Sequence, residues 1–334
     1  MNRYDRQIRV KEIGLAGQEK LAQATILIVG VGATGSYAAE ILARMGVHKL
    51  ILIDRDFVEL SNLQRQSLFT EADVAMKLPK AYAAKEHLQE INHEIAITAI
   101  VDEATMETLS LLKNEVTAVL DCTDNFSTRR MLNDFCLEFE IPWVFTSCAG
   151  NFANVMPILP NKSACLTCLI GETPQTNEAS CDIIGVNGAL IPILAGFQVS
   201  LLMRMLIDPS FKYNLYYQLD NWQMTFQKLN VLKRSDCPSC GLNRKKRAIN
   251  FFDQPTSLCG RDTVQFRLQE GAEADFKEIK RLLNKEQILF TENPFILTFS
   301  YQNYQFSIFK NGRVYLHGTS DLLQAKKIYQ HFFN

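Results

Sequence analysis

One stretch, "ILIVGVGATGSYAAEILARMGVHKLILID" from Ile26 to Asp54, restricts the fold more than any other part of the chain. It reads as an apolar strand, a glycine turn, a helix, a second apolar strand and a closing acid. Gly30, Gly32 and Gly35 form G-x-G-x-x-G directly after a strand and at the opening of a helix. Missing side chains there let phosphates approach the backbone, and the helix N-terminus offers free N–H groups and partial positive charge. Asp54 ends the second strand about 20 residues beyond the last glycine, where a carboxylate takes ribose hydroxyls. Such a unit can hold NAD, FAD or a nucleoside triphosphate. The alternative without a ligand is a glycine turn that serves close packing only.

The rhythm continues downstream. Apolar strands are expected at Ile26–Val29, Leu50–Ile53, Ile95–Val101, Ala118–Asp121 and Trp143–Thr146, with helices between them at Leu78–Ile91 and Arg129–Phe139. A polar helix over about Lys11–Gln23 precedes them. This alternation predicts an α/β fold, a Rossmann-like, mostly parallel sheet with helices on both faces. "YNLYYQLD" and "QMTFQKLNVLKR" read as two antiparallel strands joined near Asn221 and Trp222. From about Ile249 the pattern changes: "ADFKEIKRLLNK" is an amphipathic helix, strands flank an "NG" turn, and "LLQAKKIYQHFF" closes as a helix. The reading is therefore a nucleotide-binding domain over 1–248 and a small C-terminal α+β module over 249–334.

Charge and hydropathy exclude some classes. A formal net charge of −1 gives no general attraction for nucleic acid or an anionic membrane. The N-terminal "MNRYDRQIRVKEIG" is polar and charged, so no secretion is indicated and a cytoplasmic protein is expected. "IIGVNGALIPILAGFQVSLLMRML", Ile183 to Leu206, is long enough for a membrane span. Three glycines, Pro192 and Gln198 interrupt it, and one or two buried helices are the better reading.

The residues after Asp54 discriminate between nucleotides. Asn62 and Arg65 lie in "DRDFVELSNLQRQ", Lys80 follows in "KLPK", and Asp124 sits in "DCTDN" at the end of the fourth strand. Open α/β sheets bind ligands at that edge. A dehydrogenase needs little positive charge beyond the glycine turn. Asn, Arg, Lys and an Asp placed to hold Mg²⁺ suit a triphosphate and a departing pyrophosphate better. Taken singly, each charged residue could be a surface ion pair.

These segments, with "RYDRQ" at the N-terminus, "KLPKA", "LDCTDN", "CLTC" and "CPSCG", resemble the MoeB/ThiF family, the bacterial relatives of ubiquitin-activating enzymes, and most nearly MoeB. The resemblance spans roughly Arg3 to Gly241. It implies ATP-dependent adenylation of the C-terminal glycine of a small ubiquitin-like sulfur-carrier protein ending in Gly-Gly, either MoaD-like or ThiS-like, in molybdopterin or thiazole biosynthesis. Position by position it implies a nucleotide site of Gly30, Gly32, Gly35, Asp54 and Asp56, with Asp124 on Mg²⁺ and Asn62, Arg65 and Lys80 on phosphates. It also implies a homodimer in which Arg6 reaches the other subunit's site. The sequence departs from the family in the spacing of its lysine: "AMKLPK" adds length and a second candidate, Lys77, and Lys80 is the choice made here.

Cysteine spacing points to a second centre. Of nine cysteines, Cys165, Cys168, Cys237 and Cys240 form two CxxC pairs, a zinc signature. Four thiolates leave no open position for water, so such a site is structural. A thioredoxin-like redox role is set aside because neither pair is expected to follow a strand and open a helix. The basic stretch around the second pair, "RSDCPSCGLNRKKR", reads as a solvated linker; a face for an acidic partner is the sharper option. Cys181 lies in the polar loop "GETPQTNEASCDIIG"; the resemblance allows either a covalent link to the carrier or no role. Cys122, Cys136 and Cys148 read as buried apolar residues.

The C-terminal module is too short for a rhodanese domain, and "SLCGRDT" around Cys259 is not a rhodanese cysteine loop, so a separate sulfur donor is expected. Two other classes compete. A NAD-dependent dehydrogenase would need a catalytic His/acid pair that the five histidines, 48, 87, 93, 317 and 331, do not supply. A non-catalytic module that binds a ubiquitin-like tail would have no use for the full set of Asp54, Asn62, Arg65, Lys80 and Asp124. The tRNA-modifying dehydratase relatives lack the double CxxC.

Overall fold

The computed structural model describes residues 3–171, 184–242, 244, 256–257, 262–268 and 273–333. The chain forms two compact units, Met1–Arg247 and Ala248–Asn334.

The first unit is built on eight strands: β1 (Thr25–Val29), β2 (Lys49–Ile53), β3 (Ala96–Ile100), β4 (Ala118–Asp121), β5 (Trp143–Ala149), β6 (Phe152–Ile158), β7 (Leu215–Asp220) and β8 (Thr225–Asn230). Their order is β3-β2-β1-β4-β5-β6-β7-β8. The first five are parallel neighbours, and β6, β7 and β8 continue antiparallel. Among the described residues the helices are α1 (Asp5–Ile8), α2 (Gly14–Leu21), α3 (Ala33–Met45), α4 (Glu71–Ala75), α5 (Lys80–Ile91), α6 (Met106–Leu112), α7 (Phe126–Glu138), α8 (Leu166–Ile170) and α9 (Leu190–Ile207).

Strand β1 shows why the sequence lacks alternation there. Ile26 and Ile28 pack on one face with Leu42 of α3, Leu88 of α5 and Leu194 of α9. Leu27 and Val29 pack on the other with Leu109 of α6 and Phe135 of α7. A central parallel strand covered on both faces must be apolar at every position. Helix α9, with mean hydropathy 1.9, is long and apolar enough to cross a membrane. Here it is a core helix, with Leu190, Ile191, Leu194, Ala195, Val199, Leu201 and Leu202 buried.

Among the elements that differ from the expectation, three have a clear local cause. The N-terminal helix begins at Gly14, not Lys11, because Gly14 takes a left-handed φ of +57° that breaks it from α1. Helix α6 was not foreseen; it is short and is started by the Thr105 hydroxyl, which accepts from the Thr108 N–H at 3.1 Å. Strand β6 was hidden by Asn154 and Pro157, which weaken a strand pattern. It forms because β5 pairs with it along its whole length.

The second unit has an antiparallel sheet of β9 (Thr256–Ser257), β10 (Thr263–Arg267), β11 (Phe290–Glu292), β12 (Ile296–Tyr301), β13 (Tyr304–Phe309) and β14 (Arg313–His317), in the order β11-β12-β13-β14-β10-β9. Helices α10 (Phe276–Lys285) and α11 (Leu322–Phe332) contribute Ile279, Leu283, Ala325 and Phe332 to its core. Phe299 and Phe306 stack at 4.6 Å within that core.

Candidate nucleotide site and metal centre

The glycine turn joins β1 to α3. Gly30 has φ +87°, and a Cβ there would lie 2.7 Å from the Cys122 carbonyl oxygen. A Cβ on Gly35 would run into the Gly30 carbonyl oxygen. Packing alone therefore demands these two glycines. Gly32 is different, since a Cβ there would meet only Gln66 Nε2, at an ordinary 3.7 Å. The packing-only reading thus leaves the middle glycine unexplained. Gln66 was not foreseen as a site residue. It is buried, and its Oε1 has no hydrogen-bond partner. Its only sequence signal is adjacency to Arg65.

Asp54 fastens the turn to the end of β2. Its Oδ2 accepts from the Val31 N–H at 2.7 Å and its Oδ1 from the Asp56 N–H at 2.7 Å. Lys80, the first residue of α5, is only 7% exposed and places Nζ 3.4 Å from Asp56 Oδ2. Its own N–H donates to the Asp56 carbonyl at 2.9 Å. Lys77 is exposed on the turn after α4 with φ +49°, so Lys80 is the lysine brought to the acid pair. Burial pushes the Asp54 carboxyl above its ordinary 3.8, against the pull of Lys80. For Lys80, burial opposes the charge, but Asp54, Asp56 and Glu59 outweigh it and hold the ammonium above its ordinary 10.5.

Asn62 ends a short 3₁₀ turn and is buried; its Oδ1 accepts from the Glu59 N–H at 3.2 Å. Arg65 donates from Nη1 to the Ser61 carbonyl at 3.0 Å and forms no ion pair among the described residues.

Asp124 stands exposed beyond the end of β4, touched by Asn125 Nδ2 at 3.4 Å. No Lys or Arg of the described residues pairs with it. A carboxylate with no cationic partner among the described residues, at the sheet edge beside a glycine turn, is of the kind that could hold Mg²⁺, which binds through one or two carboxylates plus substrate phosphates. The loop carrying Asp124 is held from beneath by two residues that sequence reading missed. Asp121, fully buried, accepts from the Thr123 N–H at 3.0 Å and the Thr123 hydroxyl at 2.7 Å. Arg129 of α7 donates from Nη2 to the Thr123 carbonyl at 2.6 Å. Its Nε lies 3.4 Å from Asp121 Oδ2, close enough for an ion pair but not aligned as a hydrogen bond. Burial raises the Asp121 carboxyl above 3.8 and Arg129 opposes that rise. Register sets Val29 of β1 opposite both Ile53 of β2 and Asp121 of β4. The glycine turn, Asp54 and Asp124 thus leave three adjacent strands at one edge.

Arg6 does not join them. Its side chain is exposed on α1, while Gln7 next to it donates to the Met45 carbonyl at 3.0 Å. Met45 is the last residue of α3, and the glycine turn is at the other end. The helix rise separates the two by roughly 20 Å.

The four cysteines of the two CxxC pairs converge, with all Sγ atoms within 4.8 Å of one another. Cys165 and Cys168 are 3.9 Å apart, Cys165 and Cys237 3.7 Å, and Cys168 and Cys240 3.4 Å. A tetrahedral zinc with Zn–S of about 2.3 Å would space its sulfurs by about 3.8 Å. One expectation is corrected: the first pair does open a helix, since Cys165 caps α8. The redox reading still fails, because Cys165 lies nearer Cys237 than Cys168, and Cys168 nearer Cys240 than Cys165. Hydrogen bonding to Cys240, and then burial, push the Cys165 thiol up, so a bound cation is what would favour its thiolate. Residues 234–242 of the segment read as a linker form a folded knuckle, with Gly241 N–H on the Cys237 carbonyl at 2.7 Å and Leu242 N–H on the Ser235 carbonyl at 3.0 Å. Thr167 and Ser239 hydroxyls tie the knuckles at 2.9 Å. Cys136 is buried as expected, whereas Cys122 and Cys148 are only half-buried. Cys181 and Cys259 lie outside the described residues.

Residues 4–239 match the ThiF family. The sulfur carrier protein ThiS adenylyltransferase of Bacillus subtilis (strain 168) is 34% identical over 331 residues, 98% of this chain and 98% of that protein. The protein of the same name from Escherichia coli (strain K12) is 35% identical over 243 residues, 72% of this chain and 94% of its own length. Among solved structures, E. coli MccB superposes with a TM-score of 0.63 at 21% identity over 75% of each chain, a likeness of fold.

Proposed function

The chain belongs to the ThiF family, and from that premise we propose that it is an ATP-dependent adenylyltransferase for the C-terminal glycine of a ubiquitin-like sulfur carrier. The observation that carries this reading is buried Lys80 set against Asp56, at the same sheet edge as the glycine turn, Arg65 and Asp124. A hydride carrier would give these groups no work. Transfer of AMP to a carboxylate uses all of them.

A carboxylate is a poor electrophile until joined to AMP. In the proposed reaction the carrier's terminal carboxylate attacks the α-phosphate of ATP, the P–O bond to the β-phosphate breaks, and pyrophosphate leaves. No side-chain nucleophile is required. The glycine turn and Asp54 position the nucleotide. Lys80, Arg65 and Asn62 offset charge on the phosphates as pyrophosphate departs. Asp124 would hold Mg²⁺, which supplies further neutralisation of phosphate charge. The four cysteines would hold a structural zinc that joins α8 to the knuckle after β8.

The general resemblance leans to MoeB. The two relatives named ThiS adenylyltransferase lean to a ThiS-like carrier, and the match of one of them along 98% of both chains leads us to propose the ThiS-like one. Sulfur would come from a separate protein. A homodimer, with Arg6 completing the partner's site, accounts for an exposed arginine far from its own glycine turn. We place the protein in the cytoplasm.

The test is pyrophosphate–ATP exchange. It should require a carrier ending in Gly-Gly, run faster with a ThiS-like than a MoaD-like carrier, and persist in Cys181→Ala, since adenylation uses no thiol. Exchange driven by a free amino acid without a carrier would overturn the substrate.

A further inference from the structure

Gln198 is the one polar residue among the buried side chains of α9, and it is fully enclosed. Its amide is used on both sides. Nε2 donates to the Asp121 carbonyl at 3.0 Å and to the Val144 carbonyl at 3.2 Å. The Cys122 thiol donates to its Oε1 at 3.4 Å. A glutamine in the middle of an apolar helix could have served packing alone; this one bonds to the last residue of β4, to the cysteine after it and to Val144 of β5.

The strands explain why it is needed. β1 and β4 stay in register up to Val29 and Asp121, but β4 and β5 are paired only at Val119 with Trp143 and Leu120 with Val144. Beyond Leu120 the ladder between β4 and β5 stops. The Asp121 carbonyl would then be buried without a partner. It accepts instead from the Thr146 hydroxyl at 2.7 Å and from Gln198. Gln198 therefore bridges the two strands where their own pairing ends. The backbone it holds is that of the site. Cys122, tied to Gln198 through sulfur, presents its carbonyl to Gly30, and Asp124 emerges two residues later.

We infer that Gln198 is a positioning residue that sets the separation of β4 and β5 at the carboxyl edge and so aims Asp124 at the nucleotide. This rests on the reading of Asp124 as the Mg²⁺ carboxylate in adenylation.

The experiment uses the full-length protein and measures ATP affinity calorimetrically across a Mg²⁺ series, with carrier-dependent exchange in parallel. Gln198→Met keeps the shape and removes all three bonds. It should raise the Mg²⁺ concentration for half-maximal effect roughly tenfold, the lower end of the 10–100-fold that residues orienting a metal ligand are worth, with ATP affinity in the absence of Mg²⁺ nearly unchanged. Thr146→Val, which removes the other donor to the same carbonyl without touching α9, should move it in the same direction by less. Leu202→Ala, buried in the same helix away from these carbonyls, should lower the melting temperature and leave Mg²⁺ dependence as in the parent. An unchanged Mg²⁺ dependence in folded Gln198→Met, or an equal change in Leu202→Ala, would overturn the inference. If Gln198→Met does not fold, Thr146→Val decides alone. A parent protein that binds Mg²⁺ and ATP but never exchanges would count against adenylation, while the binding series still judges Gln198.

Discussion

Arg129 Nη2 donates a 2.6 Å hydrogen bond to the Thr123 carbonyl while its Nε faces the buried Asp121 carboxylate at 3.4 Å. One guanidinium thus holds both the strand end and the loop that carries Asp124. Removing one member of a buried pair leaves the other charge uncompensated, at about 3–5 kcal/mol. Arg129→Met should therefore lose about that much stability in urea unfolding. The double variant Asp121→Asn/Arg129→Met should recover part of the loss, because the stranded carboxylate is gone. A double variant no more stable than the single would show that the pair is not the origin of the effect.

Asp54 and Lys80 make a pH prediction. Asp54 sits above its ordinary 3.8 because burial outweighs Lys80. On acidification it takes up its proton earlier than an exposed aspartate, so ATP affinity should fall on an acid limb displaced to higher pH than 3.8. Lys80→Met removes the group that holds this carboxyl down, and its limb should move higher still. The bearing on stability is opposite to that of a salt-bridged acid. Between 3.8 and the raised folded value the folded chain keeps a proton that the unfolded chain has lost, so Asp54 contributes less stability as pH rises through that window. Calorimetric affinities across pH, in both proteins, check the direction; a Lys80→Met limb moved toward lower pH would refute the coupling.

The sulfur tetrad predicts about one zinc per chain in the purified protein. Cys237→Ser should lose metal and melting temperature together. Zinc is worth about 10–16 kcal/mol to small finger peptides, which sets an upper scale for a site inside a larger core. Metal analysis by emission spectroscopy decides the matter, and full zinc content in a chain lacking all four thiols would rule the assignment out.

Arg6 predicts complementation. Arg6→Ala and Asp124→Ala should each abolish exchange. Mixed after subunit exchange, they should regain about a quarter of the parental rate, because half the dimers are mixed and each holds one intact site. No recovery after demonstrated exchange of subunits would place Arg6 in its own chain's chemistry or outside it.

The sequence by itself determined whatever is written in short-range order. The apolar strands, the glycine turn, Asp54 at the end of β2 and the two CxxC pairs each follow from residues a few positions apart, where backbone geometry imposes fixed periods and glycines declare themselves. Tertiary structure decided the rest. It buried Lys80 beside Asp56 and left Lys77 on an exposed turn. It showed that two cysteine pairs 72 residues apart close on one another, and that the first opens a helix. It set Arg6 at the far end of α3 from the glycine turn. Gln198, Asp121, Arg129 and Gln66 were illegible beforehand because nothing local distinguishes them from any glutamine, aspartate or arginine. Their roles depend on which carbonyls lose a strand partner and which charges are shut away from water. That is settled only when the whole sheet and the helices on both its faces have packed.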